Sequence, residues 1–398
     1  MAVVDKAGPH RDSRSFSEIV NDEKYRSVFY QIVVAIAVIW AANYLFTNTS
    51  ANLEARGMSA GFGFLSSTAG FSIAWSIIDY QAGDTYFDVF IVGIANTLLV
   101  SLVAVVASTF FGFVVGVMRL SKNFLVAKLA STYVEIMRNV PLLLHILFWY
   151  TVSAALPRPN TSLELFDAFF LNNRGLYMPA PVPGDGFSLA VIAAVLGIII
   201  AYVIAVWAKK RQLATGERFP AFWVGMAVIF GLPIVVFVIM GSPLSFDFAE
   251  LKGFNYQGGA SVPRAFCALL FALSVYHTVF MAEAVRAGIL SVSHGQTEAS
   301  YALGLKPSWT LRLVVIPQAM RAVVPPMISN WMNVVKNSSL AIAIGYPDLV
   351  AVFMQTSLNQ SGHAIEIVAM VMLFYMTVSL TISAALNYYN KLVQIKER

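Results

Sequence analysis

The chain has 398 residues, 58% of them hydrophobic and only 12% charged. A soluble domain is about one quarter charged, so this composition excludes a large water-soluble enzyme or binding domain. The net charge of +5 calls for no nucleic-acid partner, because membrane proteins collect Lys and Arg on their cytoplasmic side.

Several apolar runs reach the ~20 residues that cross a bilayer. In chain order, residues 1–27 mix acids with bases and lack the cleavage pattern of a signal peptide, so they read as a cytoplasmic tail. A first span follows at 28–46. Residues 47–88 form an outside segment rich in Gly, Ser and aromatics, and its stretch Phe64 to Ile78 could lie in the interface as an amphipathic helix. The second and third spans are expected at Val89 to Met118 and Thr132 to Leu156. An outside loop at Asn160 to Gly186 leads to a helix pair at 187–240, whose basic inner link is Lys209-Lys210-Arg211-Gln212-Leu213. After a second outside loop, Gly241 to Pro263, come a sixth span at Arg264 to Leu290, a polar loop at 291–317, a seventh span at Pro317 to Ile344, an outside turn at Gly345 to Gly362 and a last span at Ala364 to Tyr388.

This gives an all-α, polytopic membrane helical bundle of about eight transmembrane helices. Of the 26 Lys and Arg residues, only Arg56, Arg158, Arg174, Lys252, Arg264 and Lys336 fall outside the stretches that this topology places on one face. The bias puts both termini and the 291–317 loop in the cytoplasm.

That loop is too polar to cross a bilayer. Glu298 to Leu303 reads as a short helix, Gly304 as its left-handed stop, and Pro307 as the first turn of a second helix, with Pro317 opening the next span. The spacing of Glu298-Ala299, Gly304, Val314 and Ile316-Pro317 resembles the EAA loop of importer-type ABC permeases. The pattern departs at Ser300, Val314 and Ile316, each a small or apolar exchange. Glu283 to Gly288, Gly295-Gln296 and Tyr133 to Leu143 resemble the polar amino acid branch of that family, and the extra first span and inserted pair resemble its larger, general L-amino acid members.

The resemblance implies a type I ABC importer core of five spans within 89–398, in a bacterial cell inner membrane. It also implies a coupling helix that contacts a partner ATPase through Gln296, Glu298, Ala299, Gly304 and Pro317. The implied partners are a dimer of ATP-binding subunits, a second permease subunit in a heterodimer and a periplasmic amino acid binding protein. The chain itself shows no Walker loop, nucleophile elbow or His-Glu-x-x-His, so it is no enzyme, and ATP and Mg would be bound by the partner ATPase, with no cofactor or metal here.

Polar side chains within the spans mark a candidate pathway. Asn330, Asn333 and Asn337 fall on one helical stripe with Lys336 at its edge and Ser338 next along, beyond an expected break at Pro325-Pro326. They line a substrate pathway or bond helix to helix. His145 and His277 are either part of that pathway or packed neutral histidines. Glu135/Arg138 and Glu283/Arg286 are each three residues apart near a cytoplasmic edge, as a gate or as anchors for helix ends. An ion-coupled secondary amino acid transporter using Glu135, Glu283 or Lys336 is the alternative to an ATP-driven importer, and a membrane scaffold the third reading. An ATPase-docking loop favours the importer.

Overall fold

The computed structural model describes residues 23–55 and 61–393, so most of the expected N-terminal tail and the end of the basic C-terminal tail lie outside the described residues. The chain is a bundle of long apolar helices. Among the described residues seven are long and apolar enough to cross a membrane, and the expected third span is made of two shorter helices.

Helix α1 (Glu23–Ala55) overruns the expected first span at both ends, because no Gly or Pro interrupts the flanking polar residues. Nearly all its described side chains are exposed. The anticipated interfacial helix at Phe64 to Ile78 does not form. Only Phe62–Ser66 makes a 3-10 turn, and the rest runs extended over the bundle. Tertiary hydrogen bonds replace helical ones there: Trp75 Nε1 donates to the Ser261 carbonyl at 2.8 Å, and Asn96, wholly buried on the next helix, accepts from Ile77 N–H and donates to the carbonyls of Trp75 and Pro347.

Helix α2 (Tyr86–Arg119) starts at a reciprocal cap, Thr85 with Asp88. The expected third span is two helices, α3 (Phe124–Arg138) and α4 (Leu142–Ala154). Pro141 is extended (φ −58, ψ 139) and lacks an amide donor, and a residue before proline avoids helical geometry, so the chain breaks at Asn139–Pro141. His145 spans the break, its Nε2 3.2 Å from the Met137 carbonyl.

Both loops expected outside carry strands that hydropathy did not reveal. β1 (Leu163–Leu165), β2 (Phe169–Asn172), β3 (Gly175–Met178) and β4 (Ala180–Pro183) precede the inserted pair; β5 (Leu244–Asp247), β6 (Glu250–Lys252), β7 (Asn255–Gln257) and β8 (Ala260–Pro263) follow it. The antiparallel order β1-β2-β3-β8 joins the two loops, and β4 pairs with β5. The inserted pair itself is α5 (Phe187–Thr215) and α6 (Ala221–Ile239), which pack through small residues: a Cβ at Gly197 would lie 3.0 Å from the Val228 carbonyl oxygen. The basic stretch 209–213 belongs to the last turns of α5, so the link between the helices is shorter than expected and begins at the left-handed Gly216.

The core is built on α2 against α7 (Arg264–Leu290), with α4 and α10 (Ile316–Asn337) completing it. Between α7 and α10 lie α8 (His294–Ala302) and α9 (Pro307–Thr310), and a π-turn at Leu311–Val315 carries α9 straight into α10. Pro317 therefore sits in a first turn, as expected, but of a helix already under way. The expected break at Pro325-Pro326 is absent: α10 runs through both prolines. Their missing donors free the carbonyls of Arg321 and Ala322, which belong to exposed residues, so hydration or a neighbouring chain can satisfy them. The expected outside turn is helical in part, a π-turn at Val350–Ser357 and α11 (Leu358–Ser361), and it buries Tyr346, Leu349 and Phe353 against α2 before α12 (Ala364–Val393) closes the chain.

Candidate functional site

The polar loop between α7 and α10 forms a short hinged unit. Gly304 has φ +74, which only glycine adopts without cost. Gly304 N–H donates to the Tyr301 carbonyl at 2.9 Å and Leu305 N–H to that of Ser300 at 3.1 Å, the paired bonds that end a helix with a left-handed residue. Ser300, buried, donates to the Gln296 carbonyl at 2.7 Å. Gln296 Oε1 accepts from Gln318 Nε2 at 3.2 Å, tying α8 to the first turn of α10 beside Pro317. Glu298 faces solvent with its carboxylate 2.9 Å from His294 Nδ1, and Ala299 is exposed beside it. Around this polar helix stand Tyr301, Leu303, Trp309, Leu311 and Leu313, all exposed, with Leu303 at 82%. Exposed apolar side chains beside a polar helix make a surface suited to a protein partner. Sequence reasoning named the polar half of this surface and missed the apolar half. Its signal was the presence of large apolar residues in a segment too polar to span.

The two Glu-x-x-Arg pairs differ. Glu135 and Arg138 lie 3.8 Å apart and are both about half exposed, so their attraction is weak. Glu283 is held from two sides, by Arg286 at 2.6 Å and by Arg119 from the end of α2. Arg119 escaped the sequence reading because its partner is 164 residues away. No ion pair joins the Glu135 and Glu283 clusters among the described residues.

Glu283 shares an open cavity of about 470 Å3 with Ser291, Pro326 and Asn330. This brings one gate candidate next to the polar stripe of α10. Asn330 Nδ2 donates to the Pro326 carbonyl at 3.1 Å, one turn back on its own helix. Asn333 and Lys336 are exposed. Asn337 is half-buried, its Nδ2 3.2 Å from His277 Nε2. Ser338 is buried and donates to its own helix at the Val335 carbonyl. His277 therefore joins the stripe, whereas His145 sits at the α3–α4 break with its ring against Tyr276. Ala322, Pro326, Asn333 and Lys336 leave this side of α10 exposed.

Residues 218–394 match the family described as the binding-protein-dependent transport system inner membrane component. YhdX of Escherichia coli strain K12, named as an amino-acid ABC transporter permease, is 47% identical over 94% of this chain and 95% of its own length. The general L-amino acid transport system permease protein AapQ of Rhizobium johnstonii is 46% identical over 99% of both chains. The glutamate/glutamine/aspartate/asparagine transport system permease protein BztB of Rhodobacter capsulatus is 39% identical over 98% of this chain and 99% of that protein. Among solved structures, an amino acid ABC transporter crystallised with histidines matches 77% of this chain and 94% of that one, at 19% identity and a TM-score of 0.45.

Proposed function

The chain belongs to the amino acid ABC transporter permeases, and on that premise we propose how its parts divide the work of import. It is a non-enzymatic, multi-pass membrane subunit of an amino acid importer, which works with ATP-binding subunits and a binding protein. In our reading both termini and α8 face the cytoplasm. Glu298, Gly304 and the exposed Tyr301 and Leu303 dock the ATPase, which binds the ATP and Mg. Exposed Ala299 belongs to the same docking face, and Gln296, bonded to Gln318 beside Pro317, fixes the angle between α8 and α10, so movement of α8 is passed to the polar stripe.

The observation that carries this division is the hinged unit at 294–317, bonded to the first turn of the helix that bears the stripe. Asn330, Asn333, Lys336, Asn337 and His277 line one wall of the substrate pathway, and Glu283 with Arg119 and Arg286 closes its inner end. Ser338, bonded within its own helix, and His145 at the α3–α4 break support this wall, and the exposed Glu135/Arg138 pair anchors a helix end. The open face of the stripe supports a second permease subunit opposite, which in our reading is a different chain. The test is uptake into proteoliposomes holding both permeases and the ATPase. Uptake that needs ATP and binding protein, and survives collapse of ion gradients by ionophores, is expected. Gradient-driven uptake without ATP would establish the ion-coupled alternative.

Orientation has its own test. Gln212 is exposed at the basic end of α5. A Gln212→Cys protein is expected to resist a membrane-impermeant thiol reagent added to intact cells and to react after lysis. Labelling from outside would reverse the topology.

Asn337→Asp tests the pathway. A carboxylate beside His277 would attract cationic and repel acidic substrates, since unit charges a few ångströms apart interact by several kcal/mol at an effective dielectric of about 20. Lys336 offsets part of this, so the ratio of basic to acidic uptake is expected to rise about tenfold, or ~1.4 kcal/mol. The comparison is made at saturating binding protein. An unchanged ratio with normal expression leaves Asn337 a helix-packing role.

A further inference from the structure

The outer lobe holds a basic cavity that the transport cycle described above does not use. Its volume is about 430 Å3, within the ~300–1,000 Å3 range of small-molecule sites. Three separate turns line it: Arg158 and Asn160 after α4, Asn173 and Arg174 between β2 and β3, and Gly253-Phe254 between β6 and β7. The last comes from the far side of the inserted helix pair, so the cavity exists only because the returning segment folds back onto the first loop.

The turns are fixed in place. Buried Asn172 accepts from Arg174 N–H at 2.9 Å, Asn173 N–H donates to the Pro157 carbonyl at 2.9 Å, and Arg264 N–H donates to the Arg174 carbonyl at 3.0 Å. The hairpin bearing Phe254 is held by Tyr256 stacked on Phe170, with centroids 4.5 Å apart, and by Tyr177 Oη donating to Asn255 Oδ1 at 2.9 Å. Neighbouring Arg264 is occupied, its guanidinium over the Tyr150 ring. Arg158 and Arg174 have no carboxylate partner among the described residues, and no acid lines the cavity. Two guanidinium groups in one cavity repel each other unless an anion lies between them, and their planar forks match carboxylates two bonds at a time. Phe254, 92% exposed, stands at the rim as an apolar cover.

We propose that this cavity is a carboxylate-binding site for a small acidic amino acid, held by Arg158 and Arg174, with the amides of Asn160 and Asn173 taking its remaining polar groups. A dicarboxylic amino acid satisfies both arginines and its ammonium can donate to the Asn160 and Asn173 amide oxygens, whereas a neutral amino acid offers one carboxylate and leaves the second guanidinium without an anion. That the ligand is an amino acid rests on the importer reading; the preference for an acid does not. The site lies at the outer ends of α4 and α7, where it would hold an acidic cargo near the entry to the bundle.

The test uses the assembled transporter in lipid nanodiscs, both faces accessible and no binding protein added. L-Glutamate and L-glutamine binding are measured by calorimetry, with hydrogen exchange followed at 157–161, 172–175 and 252–256. Glutamate is expected to bind at least tenfold more tightly than glutamine and to slow exchange in all three turns. Arg158→Gln and Arg174→Gln are each expected to lose at least tenfold in glutamate affinity and to shift little in melting temperature, because both side chains are exposed. Equal binding of the two amino acids, protection confined to the transmembrane stripe, or variants that bind glutamate normally would each overturn the site. So would variants that lose only the association of the binding protein, which would make the arginines a protein contact. ATP-driven uptake by the same purified transporter, reconstituted into sealed proteoliposomes with binding protein, separates the two readings. Uptake without glutamate protection removes the site alone, and protection without uptake removes the importer reading alone.

Discussion

Gly304→Val is expected to leave the permease inserted and assembled in the membrane while lowering ATP-driven uptake at least tenfold. A Cβ built at Gly304 meets nothing within 4 Å, so the substitution causes no collision with neighbouring groups. The cost lies in the backbone. At φ +74 an ordinary L-residue loses ~1–2 kcal/mol, and a β-branched one is a steric outlier. The chain can relieve that strain by moving the residue to negative φ, which breaks the bonds from Gly304 N–H to Tyr301 and from Leu305 N–H to Ser300. Helix α9 would then leave α8 at a different angle, and Glu298 and Leu303 would no longer be presented together. Gly304→Asn separates backbone strain from loss of glycine as such, since asparagine tolerates the left-handed region, and it is expected to keep most of the activity. The comparison is uptake in proteoliposomes at matched permease content, with basal ATP hydrolysis recorded alongside. Normal uptake by the valine protein would sink the coupling role of this turn.

This hinge was legible in the sequence because every determinant is local: a polar run, a glycine six residues after Glu298, and a proline at a helix start. The spans were legible for a similar reason, since apolar length alone decides them. What the sequence hid depends on distant partners. The aromatic stretch 64–78 has the composition of an interfacial helix, yet Asn96 and Ser261 offer its backbone and Trp75 better partners, and it lies extended. The strands of the two lobe segments are three or four residues each, too short for a clear alternating pattern, and two of their pairings, β3 with β8 and β4 with β5, cross the inserted helices. At the candidate site, the 100° spacing placed Asn330, Asn333 and Asn337 on one face, and the structure keeps them there. It could not show that Asn337 meets His277, 60 residues earlier, or that Glu283 answers to Arg119 as well as Arg286. The expectation of a break at Pro325-Pro326 weighed the missing donors and overlooked that the two freed carbonyls lie on an exposed face.

The largest expected effect on folding comes from Gly112, where α2 crosses α7. A Cβ there would stand 2.2 Å from the Met281 Cβ, and one at Gly116 would stand 2.8 Å from the Val285 Cβ. Two glycines four apart form a flat strip that lets another helix approach closely, the small-xxx-small arrangement of membrane helices. Met281 is wholly buried, and both atoms in the 2.2 Å contact are first side-chain atoms that no rotamer change can move. Even Gly112→Ala must therefore push the helix axes apart along the central pair of the bundle. Overpacking of this kind costs ~1–3 kcal/mol in soluble cores and more where the backbone cannot yield. The backbone is poorly placed to yield here, because α2 is also fixed by the Asn96 bonds at its outer end and by Arg119–Glu283 at its inner end. Gly112→Val is expected to abolish recovery of the folded permease, and Gly112→Ala to lower its melting temperature in detergent by several degrees. Met281→Gly removes the opposing Cβ, so combined with Gly112→Ala it is expected to restore part of the loss, even though glycine in a helix interior carries its own penalty of ~1 kcal/mol. Additive destabilisation in the double variant would show that the two positions do not meet and that α2 and α7 cross elsewhere.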